Sequence, residues 1–197
     1  MFLRYLFTKK KISLWRAFGI SLWFLLYKMG ICKDVLNIRK FGFKVFSNWS
    51  KEIMNELIGG FYQDSLSLNL NPNVVDRLKN HQLQDDTVVF LSATLEEIAG
   101  YLAKMLNVKF VVATKLEFKN GIYTGRMTGE VPYGENKFKL AQEFVTKNSL
   151  AMQGSLAYGD HYSDLPLLNY VDRVVLVNPD KRLKKLAILK SWEVINN

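Results

Sequence analysis

The stretch TVVFLSAT, residues 87–94, decides the fold of this 197-residue chain. It is apolar and rich in β-branched residues, which is typical of a strand that a parallel sheet buries on both faces. The next segment, LEEIAGYLAKML at 95–106, carries two acids in its first turn, and this pattern favours a helix. A buried strand that passes directly into a helix indicates an α/β fold.

The segments around this pair continue the alternation of strands and helices. A helix is predicted from Pro72 to about Asn80, and the turn pair Asn120-Gly121 joins two alternating segments in KLEFKNGIYTGR. The other predicted elements are short apolar strands at 108–113, 155–158 and 173–177 and helices at 135–148 and 164–170. We therefore predict a doubly wound (Rossmann-like) α/β core with a parallel sheet over residues 67–197.

Charge and aromatic residues are concentrated at the start of the chain. The net charge is +9, and residues 1–50 hold ten Lys or Arg and one acid, so the other 147 residues are neutral. The same fifty residues hold 12 of the 26 aromatic residues. Apolar residues recur there at helical spacing, as at Ile38, Phe41 and Val45. We predict a basic, aromatic helical subdomain over residues 1–66, without a strand.

Residues 12–30, ISLWRAFGISLWFLLYKMG, allow two interpretations. The longest run without charge, 17–27, has 11 residues, whereas a membrane-spanning helix needs about 20. One interpretation is a helix buried within the helical subdomain. The other is a helix on an anionic membrane surface, with lysines at the headgroups and aromatic rings at the interface. The residues concerned are Lys9, Lys10, Lys11, Trp15, Trp23, Phe24 and Tyr27.

Composition also limits the partners and the compartment. No recognisable nucleic-acid-binding module accompanies the basic segment, and the α/β core is neutral, so we expect no nucleic acid as a partner. The single Cys32 cannot form an internal disulfide, which suits a reducing compartment. We expect a cytoplasmic protein, with a peripheral position at the inner face of the membrane if residues 12–30 lie on a membrane surface.

Polar residues follow the predicted strand 87–94 at the edge of the sheet where α/β proteins bind ligands. Ser92 and the following Ala93 stand at a strand-to-helix turn, where a hydroxyl and backbone N–H groups can cradle an anion. The alternative is that Ser92 only caps the next helix.

Two further groups are expected at the same edge. Asp160 and Asp164 follow strand 155–158 in YGDHYSDLPLL, and two such carboxylates suit Mg²⁺ with waters and a phosphate; alternatively, Asp164 only caps the next helix. Lys137, at a helix start in YGENKFKLAQ, can neutralise developing phosphoryl charge; alternatively, it is a solvated surface lysine.

The order of these motifs resembles the haloacid dehalogenase superfamily, and within it the phosphoserine-phosphatase-like hydrolases with a helical cap near the N-terminus. The resemblance covers about residues 70–197, while residues 1–66 match the cap in length and position. It implies a Mg²⁺-dependent phosphomonoester phosphatase that forms an aspartyl-phosphate intermediate. The stretches that carry it are VVFLSAT, FKNGIYTGRMTGEVPYGENK, AYGDHYSDLPLL and VNPDKRL.

The resemblance also implies a role for each candidate residue. Ser92, with Ala93 beside it, would bind the transferring phosphoryl group, and Lys137 would bind it too and offset its charge. Asp160 would ligate Mg²⁺, with Asp164 as its companion acid. The implied substrate is a small phosphomonoester such as phosphoserine or, in view of the basic aromatic cap, a phosphorylated lipid such as phosphatidylglycerophosphate.

The family's first motif, a strand followed by Asp-x-Asp-Gly-Thr, has no match in the 197 residues. That motif supplies the nucleophile and the general acid/base. The nearest similar sequence, Asp85-Asp86-Thr87, precedes its strand and so lies at the wrong end of the sheet. Without the first central strand, its two neighbours would each leave an unpaired edge, which is costly in a core. We therefore expect a chain that is truncated at its N-terminus and inactive as written; the alternative is an inactive remnant that binds a phosphate ligand or a partner.

Overall fold

A computed structural model describes residues 1–12, 15, 19 and 42–196 of the chain. The membrane-surface prediction for residues 12–30 therefore lies mostly outside the described residues, as does Cys32. Among the aromatic residues of segment 12–30, the structure describes Trp15, which is 85% exposed. None of the described helices combines the length and the apolar character that crossing a membrane requires.

Helices and strands alternate along the described α/β part. The strands are β1 Val89–Leu95, β2 Phe110–Lys119, β3 Ile122–Thr128, β4 Leu156–Gly159, β5 Arg173–Val177 and β6 Glu193–Ile195. The α-helices are α1 Phe2–Thr8, α2 Lys51–Phe61, α3 Pro72–Leu83, α4 Glu96–Met105, α5 Glu135–Lys147, α6 Leu165–Leu168 and α7 Lys181–Lys190. Shorter helical turns lie at Lys44–Phe46, Tyr62–Leu66, Ser67–Asn69 and Tyr162–Asp164.

The strands form two sheets of three, in the orders β1-β2-β3 and β4-β5-β6. The pair β1-β2 is parallel and β2-β3 is antiparallel, whereas both pairs of the second sheet are parallel. Within the described residues, no strand pairs with the outer edge of β1 or of β4. The predicted α/β fold class is confirmed, with parallel pairing in both sheets.

Several predicted elements differ in extent from the observed ones. The predicted strand 108–113 and the first arm of the hairpin are one strand, β2, because its first half pairs with β1 and its second half with β3. Asn120 and Gly121 form the predicted two-residue turn, with φ of 51° and 76°. Helix α3, predicted to end at about Asn80, continues three residues further and includes His81.

Helix α5 connects the two sheets. It packs on β1, on α6 and on the turn Tyr162–Asp164 that follows β4. Near its end, the Phe144 ring lies edge-on to Phe110 at the start of β2, with 5.2 Å between the centroids. Its first turn lies beside Asp164, just after the carboxyl end of β4. The carboxyl ends of β1 and β4 therefore both lie at the N-terminal end of α5.

The helical segment before residue 67 shares one hydrophobic cluster with the α/β part. Leu6 and Met54, both fully buried, belong to the same cluster as Leu95 of β1 and Tyr123 of β3. A second cluster lies between β4, β5, α6 and α7, around Leu176 and Leu183. The subdomain boundary near residue 66 stays a prediction, because the first cluster crosses it.

We expect the replacement of Leu6 by alanine to destabilise the whole molecule. Leu6 is 0% exposed, and truncation of a buried leucine costs about 2–5 kcal/mol of unfolding free energy. Its neighbour Phe7 is 40% exposed, so Phe7→Ala should cost less than about 1 kcal/mol. Urea unfolding followed by circular dichroism measures both values. If both replacements lowered the unfolding free energy by the same small amount, α1 would not share the core.

Candidate active site

Lys137 and Asp164 form a buried ion pair at the N-terminal end of α5. Lys137 Nζ lies 2.9 Å from Asp164 Oδ1, and the two side chains are only 14% and 9% exposed. Gly134, just before the helix, has φ 57° and ψ −131°, a conformation that is strained for residues other than glycine. Its carbonyl accepts a hydrogen bond from the Lys137 N–H at 3.0 Å, which places this lysine in the first turn. The surface-lysine alternative is therefore wrong.

Asp164 is held close to the end of β4. It occupies the position before α6, but its side chain makes no capping hydrogen bond, so the capping alternative is wrong. A Cβ on Gly159 would lie 3.2 Å from Leu168 Cδ2 and 3.8 Å from Asp164 Oδ2. Glycine at the end of β4 thus leaves room for the Leu168 side chain, which a Cβ at this position would crowd.

Ser92 and Ala93 lie where β1 departs from regular pairing with β2. Ser92 pairs with Ala113 and Leu95 with Thr114, so Ala93 and Thr94 form a bulge. The Thr94 N–H donates to Ser92 Oγ at 3.2 Å, and the buried Thr114 hydroxyl donates to the Ala93 carbonyl at 2.9 Å. The capping alternative for Ser92 is wrong, because Leu95 is the residue that precedes α4. Bulges of this kind often redirect groups beside active sites.

Asp180 fastens the loop that contains Asp160. The Asp180 N–H donates to the Asp160 carbonyl at 2.9 Å, and the Tyr162 N–H donates to Asp180 Oδ2 at 2.5 Å. The Arg182 guanidinium lies 3.8 Å from the centroid of the Tyr162 ring. The carboxylate of Asp160 is exposed, so the loop presents this group to solvent while its backbone is fixed.

The Asp180 carboxylate also caps α7, since its Oδ1 accepts from the N–H groups of Arg182 at 2.8 Å and Leu183 at 2.9 Å. Partial burial opposes ionisation, but the hydrogen bonds from Leu183, Tyr162 and Arg182 and the proximity of His161 outweigh it, so the pKa of Asp180 is lowered. Sequence reasoning did not single out Asp180. The signal was an aspartate directly before the lysine-rich segment that forms α7.

His161 lies inside the loop and bonds locally. Its Nδ1 accepts from the Ser163 N–H at 3.1 Å and lies 2.9 Å from Ser163 Oγ, while Nε2 lies 4.0 Å from Asp180 Oδ2. These contacts orient the imidazole towards Ser163 and Asp180.

The oxygen donors of the loop match a hard cation in type. Asp160 and Asp164 are carboxylates, and Mg²⁺ is usually held by one or two carboxylates with waters and substrate phosphate oxygens. No three His, Cys, Asp or Glu side chains cluster for metal binding in the part of the chain that the structure describes. These two residues therefore suit a Mg²⁺ ion whose remaining ligands come from water, phosphate or further protein oxygens.

The sequence model of the haloacid dehalogenase-like hydrolases matches residues 1–169. The chain belongs to this family. Phosphoserine phosphatase SerB1 of Mycobacterium tuberculosis is 35% identical over 107 residues, which are 54% of this chain and 35% of that protein. Histidinol-phosphatase of Neisseria meningitidis serogroup C is 28% identical over 169 residues, which are 84% of this chain and 76% of that protein.

A solved structure has the same fold at similar length. It is a protein with unknown function from Bordetella pertussis Tohama I, with a TM-score of 0.82, 25% identity, and coverage of 89% of this chain and 79% of that chain. The chain spans from about a third to a half of the first curated relatives that it matches. The predicted family is thus confirmed, while the roles of Ser92, Ala93, Lys137, Asp160 and Asp164 stay predictions.

We expect Lys137 and Asp164 to be strongly coupled in stability. Removal of one partner leaves a buried charge, so Lys137→Met and Asp164→Asn should each cost about 3 kcal/mol or more. The double variant should cost less than the sum by about 1–3 kcal/mol. The control cycle uses Lys79 and Asp76, which are 3.5 Å apart and more than 60% exposed, and should give a coupling below about 1 kcal/mol. Urea unfolding measures both cycles, and equal couplings would contradict a buried pair.

Asp180→Ala should lower stability by about 1 kcal/mol at neutral pH through loss of the helix cap. Because the pKa of Asp180 is lower in the folded state than its ordinary value of 3.8, the contribution is present above about pH 4. It is lost as the pH falls through the folded-state pKa. The difference in unfolding free energy between wild type and variant should therefore shrink below pH 4. The replacement of the exposed Asp76 by alanine serves as the control. If the stability difference between wild type and Asp180→Ala grew at low pH, the lowered pKa of Asp180 would be contradicted.

Proposed function

We propose that this protein is a Mg²⁺-dependent phosphatase that hydrolyses a phosphomonoester through an aspartyl-phosphate intermediate. The observation that carries the proposal is the buried Lys137–Asp164 pair at the carboxyl end of β4, on the same side as the Ser92 bulge of β1. A buried ion pair is a weak means of stabilisation, so its presence at the ligand-binding edge of an α/β fold favours a role in chemistry. Relatives named phosphoserine phosphatase and histidinol-phosphatase support the same reaction class.

Each residue of the site has a distinct role in this proposal. Ser92 Oγ and the backbone of the bulge at Ala93 bind the phosphoryl oxygens. Lys137 offsets the negative charge that they carry, and Asp164 holds the lysine at the strand end. Asp160 and Asp164 provide carboxylate oxygens for Mg²⁺, which when bound supplies positive charge at the phosphoryl group.

The carboxylate nucleophile is the part of this mechanism that the 197 residues do not provide. No two aspartates stand two positions apart in the sequence, so nothing matches Asp-x-Asp. We propose that these residues alone turn over no substrate. This same observation favours a second candidate function, a family member that binds a phosphate-containing ligand or a partner without turnover.

Two classes of substrate fit the proposal. One is a small soluble phosphomonoester such as phosphoserine, in line with the named relatives. The other is a phosphorylated lipid such as phosphatidylglycerophosphate, which would use the basic aromatic segment 1–50 for peripheral contact with an anionic membrane from the cytoplasm. Lys9 of this segment forms a salt bridge with Asp64, with 2.9 Å between Nζ and Oδ2. The lysines that follow Lys9 would therefore carry the charge for such contact. Co-sedimentation with anionic vesicles at low salt distinguishes the two classes. If the protein does not bind the vesicles, the lipid substrate is excluded.

Activity should appear only when an acid motif is added. We expect no hydrolysis of p-nitrophenyl phosphate by the 197-residue chain, and Mg²⁺-dependent hydrolysis by a chain extended with an apolar strand and Asp-x-Asp-Gly-Thr. In the extended chain, Lys137→Met or Asp164→Asn should lower turnover at least about a hundredfold. The surface variant Asp76→Asn is the control and should leave turnover unchanged. Equal turnover by the original and extended chains would overturn the assignment of the missing nucleophile.

A further inference from the structure

We propose that the outward face of helix α7 binds the surface of an anionic lipid bilayer. This face combines three exposed lysines with two bulky apolar side chains that are 77% and 80% exposed. A helix that presents both cations and large apolar side chains to solvent is typical of proteins that lie on a membrane surface. The members of this α7 face are Lys181, Lys184, Lys185, Ile188 and Leu189.

Helix geometry places these five residues on one side of α7. Each residue of an α-helix turns by about 100°, so the five lie within an arc of about 140°. The opposite side of the helix is buried, because Leu183 and Ala187 pack in the cluster around Leu176. This packing fixes the rotation of α7, so the lysines and the apolar pair share the solvent side.

Both ends of α7 are fixed without any membrane. The Asp180 carboxylate caps the first turn, and the helix ends at Ser191, whose φ of 52° lies in the left-handed region. The Trp192 N–H then donates to the Ala187 carbonyl at 2.9 Å. The α7 face is therefore formed in advance, and its binding requires little further ordering of the backbone.

The charge of the α7 face is not offset by its neighbours. Helix α7 carries five Lys or Arg and no acid, although residues 51–197 are neutral overall. Among the residues that the structure describes, none pairs with the three lysines of the face. The acids that flank the helix are engaged, since Asp180 caps it and Glu193 Oε2 accepts from Arg77 Nη1 at 3.0 Å. The face thus presents uncompensated positive charge.

A bilayer fits this face better than another macromolecule does. A stable protein interface takes about 800 Å² from each partner, spread over about 20–30 residues, whereas the face is one side of a helix of ten residues. A nucleic acid would meet the lysines but would leave Ile188 and Leu189 in water. A bilayer accepts both parts, because lipid phosphates meet the lysines and the apolar pair enters the interface.

Helix α7 is also tied to the candidate active site. The Arg182 guanidinium lies 3.8 Å from the centroid of the Tyr162 ring, and the Asp180 N–H donates to the Asp160 carbonyl at 2.9 Å. The loop that carries the Asp160 carboxylate therefore lies at the N-terminal end of α7, and docking would hold this loop near the lipid headgroups. This consequence rests on the proposed function, whereas the binding of the bilayer does not.

The test is co-sedimentation of the 197-residue chain with phosphatidylcholine vesicles that contain about 30% phosphatidylglycerol, at about 0.05 M salt. We expect binding to these vesicles. Binding to vesicles of phosphatidylcholine alone, or at about 0.5 M salt, should be at least tenfold weaker, because the attraction is electrostatic and salt screens it. Equal binding to charged and neutral vesicles would overturn the proposal.

Neutral replacements of the lysines distinguish the α7 face from other basic surfaces. Each lysine near an anionic surface strengthens binding about fivefold, so glutamine at Lys181, Lys184 and Lys185 should weaken binding about a hundredfold. The control variant carries glutamine at three exposed lysines of α4 and α5 and should weaken binding less than about fivefold. The control positions are Lys104, Lys139 and Lys147. An effect of the control variant as large as that of the α7 variant would contradict docking through α7.

Replacement of both Ile188 and Leu189 by serine tests the apolar part of the face. It keeps the charge and should weaken binding at least tenfold, because these side chains leave water when they enter the interface. The control replaces Leu68 and Leu83, which are about as exposed, and should leave binding unchanged. Circular dichroism verifies that each variant keeps its helix content. If the two pairs of replacements had equal effects, the proposal would be wrong.

A variant with glutamine at Lys10 and Lys11 distinguishes α7 from the basic start of the chain. If only this variant loses binding, the membrane meets segment 1–50 and the proposal is overturned. If the α7 variant loses binding, alone or together with this one, the proposal is supported.

Other partners of the α7 face give different results. If the protein binds polyglutamate or duplex DNA through the three α7 lysines but does not sediment with vesicles, the face serves a different partner and the proposal is overturned. The same holds if a second copy covers the face. In that case the mass in light scattering rises with protein concentration, and this rise disappears when Ile188 and Leu189 are replaced by serine.

These measurements use no substrate, so their failure leaves the hydrolysis of a soluble phosphomonoester untouched. Conversely, the chain extended with the acid motif can be tested for both properties. Vesicle binding without any hydrolysis of p-nitrophenyl phosphate supports docking through α7 and contradicts the proposed function.

Discussion

The buried ion pair of Lys137 and Asp164 joins two sheets that share no backbone hydrogen bond within the described residues. Taking each charge out of water costs several kcal/mol, and the attraction between the charges repays this only with good geometry. The geometry is set on one side by Gly134, which starts α5, and on the other by the space beside Gly159. Two glycines at two distant places thus allow one charged contact, and that contact holds the loop after β4 against the first turn of α5.

The loop 160–164 is fastened by Asp180, which lies between β5 and α7. Asp180 binds this loop through its own N–H and through its carboxylate, and at the same time it caps α7. Asp160 can therefore be exposed while its backbone is fixed, which suits a carboxylate that must meet a ligand without further ordering. Asp164 is paired with Lys137 of α5, whereas the backbone of Asp160 is bonded to Asp180, the cap of α7, so the two acids are linked to different helices.

Local chemistry was enough to predict some elements from the sequence. Strand β5 has its predicted limits, 173–177, and the Asn120-Gly121 turn has its predicted form because both residues accept positive φ. The helix predicted over 164–170 is instead a short turn, Tyr162–Asp164, followed by the four residues of α6. The sequence identified Lys137 and Asp164 separately, but 27 residues separate them, and only the tertiary structure shows their contact. Asp180 was missed for the same reason, because its bond to Tyr162 joins two loops.

Strand β1 contributes less to stability than its apolar sequence would allow. It is half-buried at every position except Leu95, whereas apolar strands of parallel sheets are normally buried on both faces. Full burial of a valine or isoleucine side chain contributes about 1.5–3 kcal/mol, so part of this free energy is not gained along β1. The carboxyl end of the strand is the exception, because Leu95 packs in the cluster that also contains Leu6 and Met54. The end of β1 that carries the Ser92 bulge is therefore anchored through the same cluster as α1 and α2.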